Sequence, residues 1–148
     1  MRLTLKTNLA MRVLMFCAVH RERIVRKHDI AEACNASEAH LAVIIHQLGQ
    51  AGLIETHRGR SGGVKLARSP EAIVVSDVFR EFENNYAFAE CFDGETNTCP
   101  IAASCRLKPL LCKALHAFYS VLEGATLAEL IDGNCALAHV FELEAEPA

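Results

Sequence analysis

Three cysteines crowd into CFDGETNTCPIAASC, residues 91–105, a polar run rich in turn-forming residues. Cys91, Cys99 and Cys105 are separated by seven and then five residues. A free cysteine is ordinarily a small core residue, so three of them in so polar a loop point to chemistry rather than packing. Such a trio can hold a structural zinc, form a disulfide switch or grip an iron–sulfur cluster. Zinc usually takes four ligands, often with a close C-x2–4-C pair. Here the gaps are wide, and the fourth ligand would fall to His116 or Cys112. An iron–sulfur cluster is larger, and widely spaced thiolates on one wrapping loop can hold it. Three thiolates leave one iron position to another ligand, where a small molecule could react. Spacing alone leaves iron–sulfur and zinc both open.

The remaining residues must place that loop. The chain has 148 residues, 51% of them hydrophobic, enough for one compact domain or a small domain with an appended element. The N-terminal apolar run is interrupted by Arg12 and ends at His20, too short and too charged to span a bilayer, and it lacks a small-residue cleavage site. A cytoplasmic protein with no membrane partner is expected. In that reducing compartment the seven cysteines stay reduced, and their odd number fits poorly with full pairing. Net charge is −3, but its distribution is uneven. Residues 1–70 carry 11 Lys and Arg against 5 Asp and Glu, whereas residues 71–148 carry 4 against 13. A basic first half on an acidic chain fits a polyanion-binding module joined to something else.

Periodicity supplies that module. Leu9, Val13, Phe16 and Cys17 recur at helical spacing within residues 4–22, with Cys17 as a core residue. A short stripe of Ile30, Ala31 and Cys34 breaks at Asn35-Ala36. Ser37 then suits an N-cap, and Leu41, Ile44, Ile45 and Leu48 fall at i, i+3, i+4 and i+7 before Gly52. A short helix, a tight turn and a longer capped helix make a helix-turn-helix. Ile54–His57 and Val64–Leu66 read as two strands around RGRSGG, a glycine-rich tip with Arg58 and Arg60, and Lys65 just beyond. That order is the order of a winged helix. Its N-terminal recognition turns would bring Ser37, Glu38, Ala39, His40 and Val43 to base edges in double-stranded operator DNA. No Arg stands there to fork onto guanine. Arg58, Arg60 and Lys65 would carry phosphate or minor-groove contacts, with steep salt dependence. The alternative is an ordinary hairpin with solvated arginines.

After Pro70, Val74, Val75, Val78, Phe79 and Phe82 suggest another helix. Beyond the cysteine loop, Leu107, Leu111, Leu115, Phe118 and Leu122 mark a long amphipathic helix, with Pro109 tolerable in its first turn and Gly124 as its stop. Such a helix outside the compact domain needs a cover, and the same helix of a second chain is the simplest one. Thr126 caps a short LAELI helix, and ELEAEPA is an acidic tail. The expected fold is mainly α with a small β-hairpin. A winged helix-turn-helix domain spans 1–83, a cluster-binding loop 84–105, a dimerisation helix and short following helix 106–132, and a C-terminal tail 133–148. No catalytic Ser/His/Asp set or nucleotide-binding motif is present, so an enzyme is not expected. A redox or electron-transfer protein would leave the wing and the capped recognition helix without a purpose.

MRLTLKTNLAMRVLMFCAV, SEAHLAVIIHQLGQAGLIETHRGRSGGVKLA, ECFDGETNTCPIAASCRLKPLL and ALHAFYSVLEGATLAELI together resemble the winged-helix iron–sulfur regulators that include NsrR, IscR and RirA. The cysteine stretch is most similar to NsrR, the nitric-oxide-sensing repressor, while MRLTLKTN and AECF are also similar to RirA. The resemblance implies a homodimer on the helix at 106–123, with an iron–sulfur cluster on Cys91, Cys99 and Cys105 of each subunit. The cluster would be 4Fe-4S, with 2Fe-2S as the alternative. Nitric oxide would dismantle it, release the operator and derepress nitric oxide detoxification genes. In the RirA-type alternative, low iron strips the cluster. NsrR-type proteins can complete coordination with a carboxylate from the partner's first helix; the matching position here is Asn8, a neutral and poorer iron ligand. The histidine of IscR-type clusters is replaced by Lys108, and the early recognition-helix glutamate of IscR by Ala42, so IscR's DNA preference does not transfer.

Overall fold

The protein is described by a computed structural model covering residues 3–83 and 88–142. The start of the cysteine loop at 84–87 and the acidic residues 143–148 lie outside the described residues. The elements run α1 (Leu5–Val19), α2 (Lys27–Ala33), α3 (Glu38–Gln50), β1 (Ile54–His57), β2 (Gly63–Leu66), α4 (Val75–Glu83), α5 (Leu107–Glu123), α6 (Leu127–Ile131) and α7 (Cys135–Val140). This is the mainly helical fold with one small hairpin that the sequence predicts.

The first helix is the spine. Leu9, Ala10, Met11, Val13, Leu14, Phe16, Cys17 and Ala18 are all buried, so α1 is covered on most sides, as a helix without a strong polar face must be. Around it pack α3, α4, α6 and β2. Thr4 caps it by accepting from the Thr7 N–H at 3.2 Å. The Glu83 carboxylate, at the end of α4, accepts from the Thr4 N–H at 2.9 Å, from the Thr4 hydroxyl at 3.0 Å and from the Thr7 hydroxyl. An acidic group at a helix N-terminus also meets the positive end of the helix dipole. The helix stops at Val19, short of the predicted residue 22, where the chain becomes His20-Arg21-Glu22-Arg23.

Between α2 and α3 the chain turns at Asn35, whose φ of 49° lies in the left-handed region that asparagine tolerates better than most residues. Ser37 then accepts from the His40 N–H at 3.3 Å as the N-cap of α3. The predicted stripe Leu41, Ile44, Ile45 and Leu48 is buried. Gly52, at φ 66°, ends α3 in a Schellman pattern, with Leu53 N–H on Leu48 O and Gly52 N–H on Gly49 O, both at 3.0 Å.

The hairpin pairs Ile54 with Leu66 through His57 with Gly63. A third extended residue joins it. Val25 and Val64 exchange backbone hydrogen bonds at 2.9 and 2.8 Å. The chain after α5 returns to the first domain: Val75 N–H meets Ala125 O at 3.0 Å and Leu127 N–H meets Ile73 O at 2.8 Å. Leu127 is buried in the same core as α1, and Ala128 is buried as well. Within the segment read as a tail from residue 133, Cys135–Val140 is helical and Phe141 is buried, edge-on to Phe16 at 5.3 Å. His20 Nε2 lies 2.7 Å from Phe141 O and holds that end in place. The N-terminal core is therefore closed by residues 125–141.

Helix α5 stands apart. None of its residues is buried. Its C-terminal half leans on α4 through Phe79 and Phe118, 6.0 Å between ring centroids, and through Arg80. That guanidinium pairs with Glu123 at 2.5 Å and lies 4.7 Å over the Tyr119 ring.

Candidate functional site

Ser37, Glu38, Ala39, His40 and Val43 are all exposed at the start of α3, and Val43 keeps 54% of its surface. These side chains form one exposed stretch at the start of α3. Two of its members are already engaged. The Ser37 hydroxyl is the helix cap. Glu38 meets Lys27 at 3.1 Å and His28 at 3.3 Å, both from α2, and the hydrogen bonds from Lys27 and His28 hold its carboxyl below the usual carboxylate range. Lys27 and His28 therefore join the surface. Sequence reading missed them because the pairing crosses the turn and leaves no periodic signal. Arg12 fixes the same turn from α1, donating to Cys34 O at 3.1 Å. Gln47 donates to Glu81 O at 3.3 Å, tying the recognition helix to the last turn of α4.

At the wing, Arg58 and Arg60 are exposed and, among the described residues, free of ion pairs. Lys65 is half-buried and registers opposite Glu55. The glycines have a steric cause. A Cβ on Gly62 would lie 2.5 Å from His57 O, and one on Gly63 would lie 2.2 Å from Val25 O. The tip can close only without side chains there.

The cysteine loop is held by its own side chains. Asp93 Oδ1 accepts from the N–H of Glu95 at 3.0 Å and of Thr96 at 3.4 Å, and Oδ2 accepts from the Thr96 hydroxyl at 2.6 Å. Glu90 Oε1 accepts from both the N–H and the hydroxyl of Thr98 at 2.7 Å. These donors hold both carboxyls below their ordinary range. Asn97 Oδ1 accepts from Cys99 N–H at 3.1 Å. Cys91, Cys99 and Cys105 are free and half-buried. Among the described residues no group of three or more His, Cys, Asp or Glu is gathered closely enough to hold a metal ion. The donor set nevertheless fits an iron–sulfur group: three soft thiols on one loop, neither paired nor sealed in the core.

The other thiols differ. Cys17 and Cys34 are buried. Burial, with Cys34 nearby, pushes the Cys17 thiol from 9.0 up to about 12. Burial pushes Cys34 up to about 11 against the opposing effect of Arg12. Such thiols are inert packing groups. Cys112 is half-buried on α5 and Cys135 is exposed. Asn8 is exposed on α1, one residue beyond the Glu83 contacts. On α5, Leu107, Leu110 and Val121 expose 58%, 62% and 75% of their surface, an apolar face left uncovered among the described residues.

Residues 3–133 match the Rrf2 family, described as an iron-dependent transcriptional regulator. The chain belongs to the Rrf2 family. It is a DNA-binding transcriptional regulator rather than an enzyme. It is 44% identical over 138 residues to the HTH-type transcriptional regulator NsrR of Geobacillus kaustophilus (strain HTA426), covering 93% of this chain and 94% of that one. It is 43% identical over 144 residues to protein aau3 of Rhizobium meliloti (strain 1021), covering 97% and 94%. Among solved structures it is similar to T. potens IscR, with a TM-score of 0.73 at 29% identity over 92% of this chain and 90% of that one. CymR of B. subtilis, at 24% identity and a TM-score of 0.69, shares the fold. Among the described residues no helix is long and apolar enough to cross a membrane.

Proposed function

We propose that the protein is a homodimeric repressor whose operator affinity is set by an iron–sulfur cluster on Cys91, Cys99 and Cys105, and that nitric oxide is the signal. The observation that carries this reading is the position of the loop. Three free, half-exposed thiols lie between the DNA-binding half and a helix with an uncovered apolar face. Likeness to regulators named NsrR supports nitric oxide as the signal. Ser37, Glu38, Ala39, His40 and Val43 would face the major groove of operator DNA, with Arg58, Arg60 and Lys65 on the backbone or minor groove. Two α5 helices would bury Leu107, Leu110 and Val121 against each other and fix the spacing of the two heads.

The three thiolates would hold the cluster, of 4Fe-4S type or else 2Fe-2S, and the cluster supplies an iron site at which nitric oxide can react. Asn8 of the partner, water or a small thiol would fill the remaining position. The chain's own residues then transmit the state of the loop. Glu83 anchors the end of α4 to the cap of α1, and Gln47 anchors α3 to the same turn of α4. A change of about 3 kcal/mol in the relative stability of the two head arrangements alters operator affinity by roughly two orders of magnitude.

A second reading, iron level as the signal, is favoured by the family's description as iron-dependent. Titrating oxygen-free protein on its operator with nitric oxide and, separately, with an iron chelator separates the two. Release by stoichiometric nitric oxide but not by mild chelation supports the first reading. The reverse order supports the second, and release by neither overturns both.

A further inference from the structure

We propose that Glu90 is a positioning residue for the cofactor: its hydrogen bonds to Thr98 close residues 91–99 into a lobe before any metal arrives, presenting Cys91 and Cys99 together. This rests on the reading of the cysteine loop given above. Glu90 immediately precedes Cys91, and Thr98 immediately precedes Cys99. One carboxylate oxygen takes both the N–H and the hydroxyl of Thr98 at 2.7 Å, so two ligand-bearing stretches are fastened to each other across eight positions. Asp93 takes the amides of residues 95 and 96, and Asn97 takes the amide of Cys99. Closing a loop of this length costs conformational entropy that an unfastened loop would have to meet on binding metal.

The second half of the loop lacks such a device. From Cys99 to Cys105 the hydrogen bonds are Ala102 N–H on Cys99 O at 3.2 Å, and Ser104 N–H and hydroxyl on Ile101 O at 3.0 and 3.5 Å. No carboxylate bridges Cys105 to the lobe among the described residues. Cys105 instead lies two residues before α5. The loop therefore has a pre-closed pair and a third thiol that joins last. Recruitment of that third thiol is the event that connects the cofactor to the dimer helix.

Cobalt(II) added to oxygen-free apo-protein is a suitable probe, because its bonds to thiolates form with release of the thiol protons and give a charge-transfer absorption. Two exposed charge-assisted hydrogen bonds predict that Glu90→Ala weakens cobalt binding roughly tenfold. Glu90→Gln, which keeps an acceptor oxygen, should recover most of that loss. Hydrogen exchange at the Thr98 amide should be slow in the wild-type apo-protein and fast in Glu90→Ala, while the thermal midpoint of the variant stays at the wild-type value. Wild-type cobalt affinity in Glu90→Ala, or rapid Thr98 exchange in the wild type, overturns the role of Glu90 and leaves the cysteine reading standing. A wild-type protein that binds no cobalt and carries no iron overturns the cysteine reading itself, and this inference with it.

Discussion

Replacing Gly63 by alanine strains the wing where the backbone approaches closest. The added Cβ would sit 2.2 Å from the Val25 carbonyl oxygen, 2.9 Å from its carbon and 2.8 Å from Ile24 Cγ2. Two of these neighbours are backbone atoms, so no rotamer change relieves the contact. Val25 must withdraw, and its two hydrogen bonds to Val64, at 2.9 and 2.8 Å, are lost or stretched. Each is worth about 1 kcal/mol net, and a forced fit in a packed region costs about 1–3 kcal/mol more. The expected loss is about 3–5 kcal/mol, a large part of the 5–15 kcal/mol typical of a small domain. Gly94→Ala is the control: nothing lies within 4 Å of its added Cβ, and its φ is not positive. That change should stay within about 0.5 kcal/mol. Urea unfolding of both variants beside wild type measures the difference. A Gly63→Ala midpoint that coincides with that of Gly94→Ala refutes the close approach of Val25 to the wing.

Alkylation of metal-free native protein, followed by mass spectrometry, should modify Cys91, Cys99, Cys105, Cys112 and Cys135 well before buried Cys17 and Cys34. The raised thiol pKa values set an alkaline limit. In the fold, Cys17 and Cys34 stay protonated up to about 12 and about 11, against 9.0 when unfolded, so their contribution is full below pH 9 and declines as pH rises from 9 through these values. The thermal midpoint should fall across that window, and less so in Cys17→Ala. Replacing Arg58 and Arg60 by alanine should weaken binding to all DNA sequences alike and reduce the salt slope by about 1 for each lost phosphate contact; unchanged slopes place the wing off the DNA. Leu110→Lys, on the uncovered face of α5, should shift sedimentation from dimer to monomer while helix content holds.

The local patterns were the legible ones. The bounds of β1 agree with the sequence reading, and β2 begins one residue earlier, at Gly63. The Ser37 cap and the stripe of α3 are where side-chain spacing predicts them, because a cap and four apolar positions on one face leave few alternatives. What escaped has no period. Val25 joins the wing through one residue pair. Lys27 and His28 meet Glu38 across a turn, and Glu83 reaches α1 over 79 positions. Phe141 lies beside a run that reads as polar tail, and only the groove beside Phe16 gives it a place. The cysteine trio was visible by type and spacing. Whether they gather around a cofactor is not a property that backbone pattern can express, and among the described residues no group of three or more His, Cys, Asp or Glu is close enough to hold a metal ion.

Iron and acid-labile sulfide per chain, measured on oxygen-free wild type and Cys99→Ala beside operator affinity for each, test the central claim most directly. The account predicts both elements in the wild type, their loss in Cys99→Ala, and weaker operator binding in the protein that lacks them. Wild-type protein without iron that holds its operator at full affinity, or a cluster-free variant that binds as tightly as the loaded protein, contradicts it.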